Sequence, residues 1–130
     1  MEIIQPDDWS SPSGYANGVV AQGRLLFVAG QVGWDATKSP PVFAQGFVAQ
    51  FDLTLANVCT VISRAGGKPE NLAKLTLYVT DKKQYLAHVR EVGAAWRKHF
   101  GRHFPAMALL EVKGLLADEA LVEMEAIAVL

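Results

Sequence analysis

From Gln45 to Arg64 large apolar side chains recur at Phe47, Phe51, Leu55, Val58 and Ile62, with Gln50, Asp52, Thr54, Asn57 and Ser63 between them. Steps of three and four residues return to one side of a 3.6-residue turn, so this stretch predicts an amphipathic helix. Gly66-Gly67 and then Pro69 supply its stop, a residue tolerant of positive φ followed by a helix breaker. The period then changes to two. Leu75, Leu77 and Val79 alternate with Lys74, Thr76, Tyr78 and Thr80, which predicts a half-covered strand over Leu72 to Thr80. Asp81 follows as a candidate N-cap. A second helix is expected to run to about Phe100 on a stripe of Leu86, Val89, Val92 or Gly93, Trp96 and Phe100, with Gly101 ending it.

The flanks read as strands. Val19-Val20 and Leu25-Leu26-Phe27-Val28 stand on either side of Gln22-Gly23, which predicts a hairpin within Asn17 to Gly30. Residues 33–44 contain Asp35, Lys38, Ser39 and Pro40-Pro41 and predict an irregular loop that begins near Trp34. Ala106 to Val112 and Leu121 to Val129 predict the last two strands, separated by a loop with Gly114, Asp118 and Glu119. The order ββαβαββ suits a two-layer α+β fold, in which two helices pack on one face of a sheet. Two helices are too few to cover both faces. The last strand describes the bare one: Val122, Met124, Ala126 and Ala128 suit the core, while Leu121, Glu123, Glu125, Ile127 and Val129 share the opposite side. Large apolar groups beside two carboxylates suit neither solvent nor a dry core, but they do suit a subunit interface with a polar pocket.

The chain of 130 residues is the size of one domain, so residues 1–130 are expected to form a single one. Its hydrophobic fraction of 51% and charged fraction of 19% again favour apolar surface buried between subunits. Arg24, Lys74, Arg90 and Glu123 interrupt the most apolar runs, so no membrane span is expected. Met1 to Ser10 has no basic region ahead of an apolar one and does not read as a secretory signal. A lone cysteine, Cys59, allows no internal disulfide, and the expected location is cytoplasmic. A net charge of −1 with scattered Lys and Arg argues against nucleic acid as a partner.

The familiar catalytic signatures are absent: there is no phosphate-binding glycine loop with lysine, no dinucleotide glycine fingerprint and no Gly-x-Ser-x-Gly elbow. His99 and His103 stand four apart across Gly101, which does not make a zinc pair, so a surface or packing role is expected and no metal. Cys59 adjoins the apolar stripe of its helix without neighbouring bases and reads as a structural thiol. Trp96 and Phe100 have core spacing and imply no cofactor.

Taken in order, several segments resemble one family. These are Ser13-Gly14-Tyr15, Phe27-Val28-Ala29-Gly30-Gln31, Gln50 through Asn57, Ala65-Gly66-Gly67, Leu75 through Asp81, Phe104-Pro105-Ala106 and Val122 through Ala128. Together they resemble the Rid proteins, also called YjgF-type or L-PSP proteins, over nearly the whole chain. The resemblance implies a chorismate-mutase-like fold and a homotrimer with a cleft between each pair of subunits. It also implies cofactor-independent hydrolysis of reactive 2-imino or 2-enamino acids. Tyr15, Gly30 and Gln31 match the family's ligand-binding neighbourhood, and Glu123 matches its water-placing glutamate. Ala29 replaces a common serine. Met107 replaces the arginine that grips the substrate carboxylate, and a thioether offers none of the paired donors of a guanidinium. The second helix is about one turn longer than in standard members, which leaves the family's asparagine position between Arg90 and Gly93. Arg90 and Arg102 are the candidate substitutes for the missing cation.

Three functions compete at this level. One is deamination of a small imine or enamine with an altered substrate preference. Another is a non-catalytic small-molecule-binding or regulatory trimer, favoured by the adaptable thioether of Met107. The last is the endoribonuclease activity in the family's older name, which the scattered basic residues suit poorly.

Overall fold

A computed structural model describes residues 1–130. The chain runs through strands β1 (Glu2–Ile4), β2 (Gly18–Val20), β3 (Leu25–Val32), β4 (Trp34–Asp35) and β5 (Val42–Phe43) to helix α1 (Phe47–Arg64). A 3-10 turn at Pro69–Asn71, strand β6 (Leu72–Val79), helices α2 (Lys82–Ala87) and α3 (Val89–Phe100), and strands β7 (Ala106–Glu111) and β8 (Val122–Val129) complete it. The main sheet has the order β3-β8-β6-β7 and is mixed. β8 is antiparallel to both neighbours, whereas β6 and β7 are parallel because α2 and α3 carry the chain back between them. This is the expected two-layer, chorismate-mutase-like α+β arrangement.

The core forms where the two hydrophobic periods meet. Phe51, Leu55, Val58 and Ile62 of α1 lie against Leu75, Leu77 and Val79 of β6 and Val122, Met124, Ala126 and Ala128 of β8, all buried. Burying an aliphatic or aromatic side chain contributes about 1.5–3 kcal/mol, so this layer is the main source of stability. Two polar residues of α1 are tied into it. Gln50 donates to the carbonyls of Ala44 and Glu119 and accepts from the Leu121 amide at 2.8 Å. Asn57 donates to the Val32 and Trp34 carbonyls, both at 2.9 Å, and so fixes the end of β3.

Four expectations change. Val19-Val20 does not form a hairpin with β3, because β2 pairs with the unanticipated N-terminal strand β1. Residues 21–24 instead turn past the C-terminus, where Arg24 and Leu130 exchange backbone hydrogen bonds and a side chain at Gly23 would collide with the Leu130 carbonyl. That route delivers β3 to β8. Residues 33–44, read as irregular, hold the short β4–β5 ladder, with the Trp34 and Phe43 rings 5.3 Å apart. The second helix is interrupted at His88, whose φ of −125° and ψ of 30° leave the helical region while its Nδ1 donates to the Gln84 carbonyl. Leu86 and Val89, placed in the core stripe by a continuous helix, are therefore exposed, and Ala95 joins Val92, Trp96 and Phe100 inside. Finally, Val129 keeps its place opposite Leu25 on the face away from the helices but is buried there, because the chain at Gly23 packs over it.

The other expectations of this layer hold. Asp81 caps α2 by accepting from the Lys83 amide at 2.9 Å, and Gly101 ends α3 with φ of 61°. The sheet face away from the helices is bare. It presents Leu25 and Phe27, which are 59% and 69% exposed, beside Lys74, Thr76, Tyr78, Leu110, Glu123, Glu125 and Ile127.

Candidate functional site

On the bare face, β8 brings Glu123 opposite Tyr78 of β6 and Val32 of β3. The ladder between β3 and β8 is irregular between Val28 and Gln31, so Ala29 and Gly30 leave the regular pairing. The Glu123 carboxylate occupies the space that a side chain at position 30 would need: a Cβ there would lie 2.9 Å from Glu123 Cδ and closer still to Oε1. Gly30 therefore allows a carboxylate to rest directly on bare backbone. Gln31 donates to the Ala29 carbonyl at 3.1 Å, which stiffens the irregular segment. One turn of pleat away, the Tyr78 hydroxyl donates to Glu125 at 2.8 Å, and this bond to the carboxylate pushes the phenol above its usual range. Glu123 makes no such bond to a neighbouring side chain and stays half-buried.

Met107 lies elsewhere. It pairs with Leu75 in the parallel ladder, so its side chain shares the helix-covered side and packs against the core. There it lines a cavity of about 390 Å³ between the edge strand β7, helices α2 and α3, and the Ser13-Gly14 segment. Phe104, Tyr85, Arg97 and Arg102 line the same space. Trp96 forms its floor, stacked on Phe100 at 4.8 Å and on Phe104 at 5.8 Å, with its indole N–H donating to the His103 carbonyl. Burial pushes the Tyr85 phenol above its usual value, so it is a neutral donor at ordinary pH. Tyr15 lines an adjoining hollow of about 320 Å³, with Arg102 and Phe104 between the two. The neighbouring Ala16 holds this segment in place, its amide donating to the Pro105 carbonyl at 2.9 Å.

The residues singled out from sequence thus fall into two groups on opposite sides of the sheet. Glu123, Gly30 and Ala29 stand on or beside the bare face, while Met107 and Arg102, with Tyr15 next door, stand at the helix side and the β7 edge. Arg90 is exposed and outside the Met107 cavity. Arg97, which sequence reasoning passed over, lines it. Val89, Gly93 and Arg97 are spaced by four on α3 and so share one stripe, a signal that was present in the chain.

The histidines are engaged in packing. His99 pairs with Asp52 of α1, which also meets Lys98 at 3.0 Å, and His103 Nε2 donates to the Leu72 carbonyl at 2.6 Å. Partial burial works to raise the Asp52 carboxyl, but the hydrogen bonds and charges of His99 and Lys98 outweigh it and hold it below its ordinary value. Cys59 is partly buried. Desolvation pushes its thiol up to about 11, which makes it a poor nucleophile.

A small two-layer protein with a bare sheet face and a separate edge cavity is the class that these features define. The profile of the endoribonuclease L-PSP family matches residues 8–130, and the chain belongs to that family, the Rid or YjgF family. A RutC family protein of Synechocystis is 33% identical over all of this chain and 97% of its own. The crystal structure of a Rid-family protein of unknown function from Yersinia pestis has a TM-score of 0.84 at 30% identity, covering 99% of this chain and 98% of the other. A 2-iminobutanoate/2-iminopropanoate deaminase of Salmonella typhimurium is 31% identical over 82% of this chain and 80% of its own. No helix is long and apolar enough to cross a membrane.

Proposed function

We propose that the protein hydrolyses a small reactive imine or enamine, without a cofactor, in a cleft that pairs Glu123 and Gly30 of one copy with the Met107 cavity of the next copy in a homotrimer. The observation that carries this reading is the seating of the Glu123 carboxylate on the bare backbone of Gly30, on a sheet face that still exposes Phe27. A second copy would bury that face and shield the carboxylate from bulk water.

The chemistry asks little of the protein. Glu123 accepts a proton from a water molecule as the water oxygen adds to the electrophilic carbon of the C=N group. That proton passes to the imine nitrogen to give a carbinolamine, whose hydroxyl proton is then carried by Glu123 to the same nitrogen as the carbon–nitrogen bond breaks, so that a carbonyl compound and ammonia leave. No electrons are transferred. The backbone of the Ala29–Gln31 segment supplies polar atoms for the tetrahedral species, and Tyr15 lies at the cleft's edge. Because Met107 cannot grip a carboxylate, small standard 2-imino acids are poor substrates in this reading. Generating 2-iminobutyrate and a neutral imine in situ and following initial ammonia release tests it. Release above buffer that is lost in Glu123→Gln supports hydrolysis. Rates equal to buffer for both imines and for a 2-imino acid with an aromatic side chain remove it in favour of a binding trimer, the reading that the missing donor at position 107 favours.

A further inference from the structure

The Met107 cavity has a composition that its packing role does not explain. Its walls are apolar, with Met107, Phe104, Trp96 and Val89 among them, yet two guanidinium groups open onto it and no Asp or Glu does. Neither Arg97 nor Arg102 is paired with a carboxylate: the two ion pairs of the chain both involve Asp52, with Lys98 and His99. Arg97 also lies back along its helix, since a Cβ on Gly93 would be only 3.2 Å from its Nη1. The glycine leaves the space in which the guanidinium sits over the cavity. Arg102 follows the end of α3 and lies between this cavity and the hollow beside Tyr15.

We propose that Arg97 and Arg102 are the anion anchor of this cavity, which takes a monocarboxylic acid with an aromatic or branched apolar body. The anchor is displaced from position 107 to the end of α3, so the bound acid places its apolar part against Met107 and Phe104, with the hydroxyls of Ser13 and Tyr85 as further donors. A volume of about 390 Å³ holds a ring or branched chain and exceeds what a two- or three-carbon body fills. The inference deepens the hydrolysis reading and rests on it for one step, that the acid is the imino-acid substrate or its oxo-acid product. The competing explanation of Arg97 is that its charge merely complements the negative end of the α3 dipole, which the next experiment separates.

Phenylacetate and phenylacetamide differ in charge and hardly in shape, and the methyl group of Met107, labelled with 13C, reports occupancy of the cavity by NMR. Phenylacetate is expected to shift that signal saturably and to bind about ten- to a hundredfold more tightly than the amide, the range of a charge-assisted hydrogen bond. In Arg97→Gln/Arg102→Gln that preference should disappear, and in Arg97→Lys/Arg102→Lys it should partly return. Equal affinity for acid and amide, no saturable shift, or a preference that survives the double glutamine variant overturns the anchor; a purely helix-stabilising Arg97 moves the melting temperature alone. Ammonia release from imines without acid binding here removes the anchor and leaves the hydrolysis reading intact. Acid binding without ammonia release does the reverse.

Discussion

Gly30→Ala separates the placement of Glu123 from the stability of the fold. The φ of Gly30 is not positive, so alanine suits its backbone, and the atoms in the way belong to a flexible side chain. A Cβ 2.9 Å from Glu123 Cδ must be relieved to the 3.4 Å of ordinary contact, which moves Cδ by at least 0.5 Å and Oε1 further. Turning the side chain away costs about 0.5–1.5 kcal/mol, and the loss of chain entropy in the unfolded state returns about 0.4–1 kcal/mol. The melting temperature should therefore change by no more than roughly 2–4 °C. Catalysis is far more sensitive, since a displacement of about 1 Å can cost a hundredfold in rate. The expected result is an imine-hydrolysis kcat about ten- to a hundredfold lower with near-native melting, measured by initial ammonia release and calorimetry on the same preparation. Full activity in Gly30→Ala, with folding unchanged, would refute the claim that this backbone seats the working carboxylate.

Gly33→Ala should behave in the opposite way, because its Cβ would lie 2.6 Å from the Gln50 carbonyl, in helix backbone that cannot swing aside; overpacking of this kind costs about 1–3 kcal/mol, and a melt unchanged within 1 °C would contradict it. Gln50→Leu removes the partners of the Leu121 amide and the Ala44 and Glu119 carbonyls, and is expected to lower stability by about 3 kcal/mol in urea unfolding. Amide exchange at Leu121 should speed up with it. The Asp52 carboxyl is held below its ordinary value of 3.8 in the folded chain, so the unfolded state binds more protons in that window and the stability from the Asp52 cluster is lost as pH falls through it. Wild type should exceed Asp52→Asn by at most about 1 kcal/mol at pH 7, with the difference shrinking below about pH 4; a difference that grows on acidification refutes the assignment.

The long periodic elements were legible in the chain because each buries one face on one layer: α1, β6 and β8 lie where their spacing places them. The strand β8 alone also revealed the bare face, through Glu123 and Glu125 alternating with Met124 and Ala126. The misses share a cause, which is that short elements take their partners from distant parts of the chain. Val19-Val20 looks like half of a hairpin by local turn chemistry, but β3 is claimed by β8 and β2 by β1. The break at His88 leaves no proline or glycine to announce it, and one non-helical residue turns Leu86 and Val89 outward. For the site, family resemblance drew Met107 and Glu123 into one cleft, while pleat and register put them on opposite sides of a single protomer's sheet. Arg97 was hidden because charged residues in the last turn of a helix ordinarily serve the helix dipole.

That separation makes subunit mixing the most direct test of a cleft shared between copies. Glu123→Gln and Met107→Trp each disable one half of it, the second by filling the cavity, and each alone should leave little imine hydrolysis. Refolding the two variants together in equal amounts should recover about a quarter of wild-type ammonia release, since random assembly of a closed symmetric oligomer gives that share of clefts with both halves intact. A mixture no more active than the two variants measured apart would contradict the shared cleft and place the chemistry within one chain or nowhere in it.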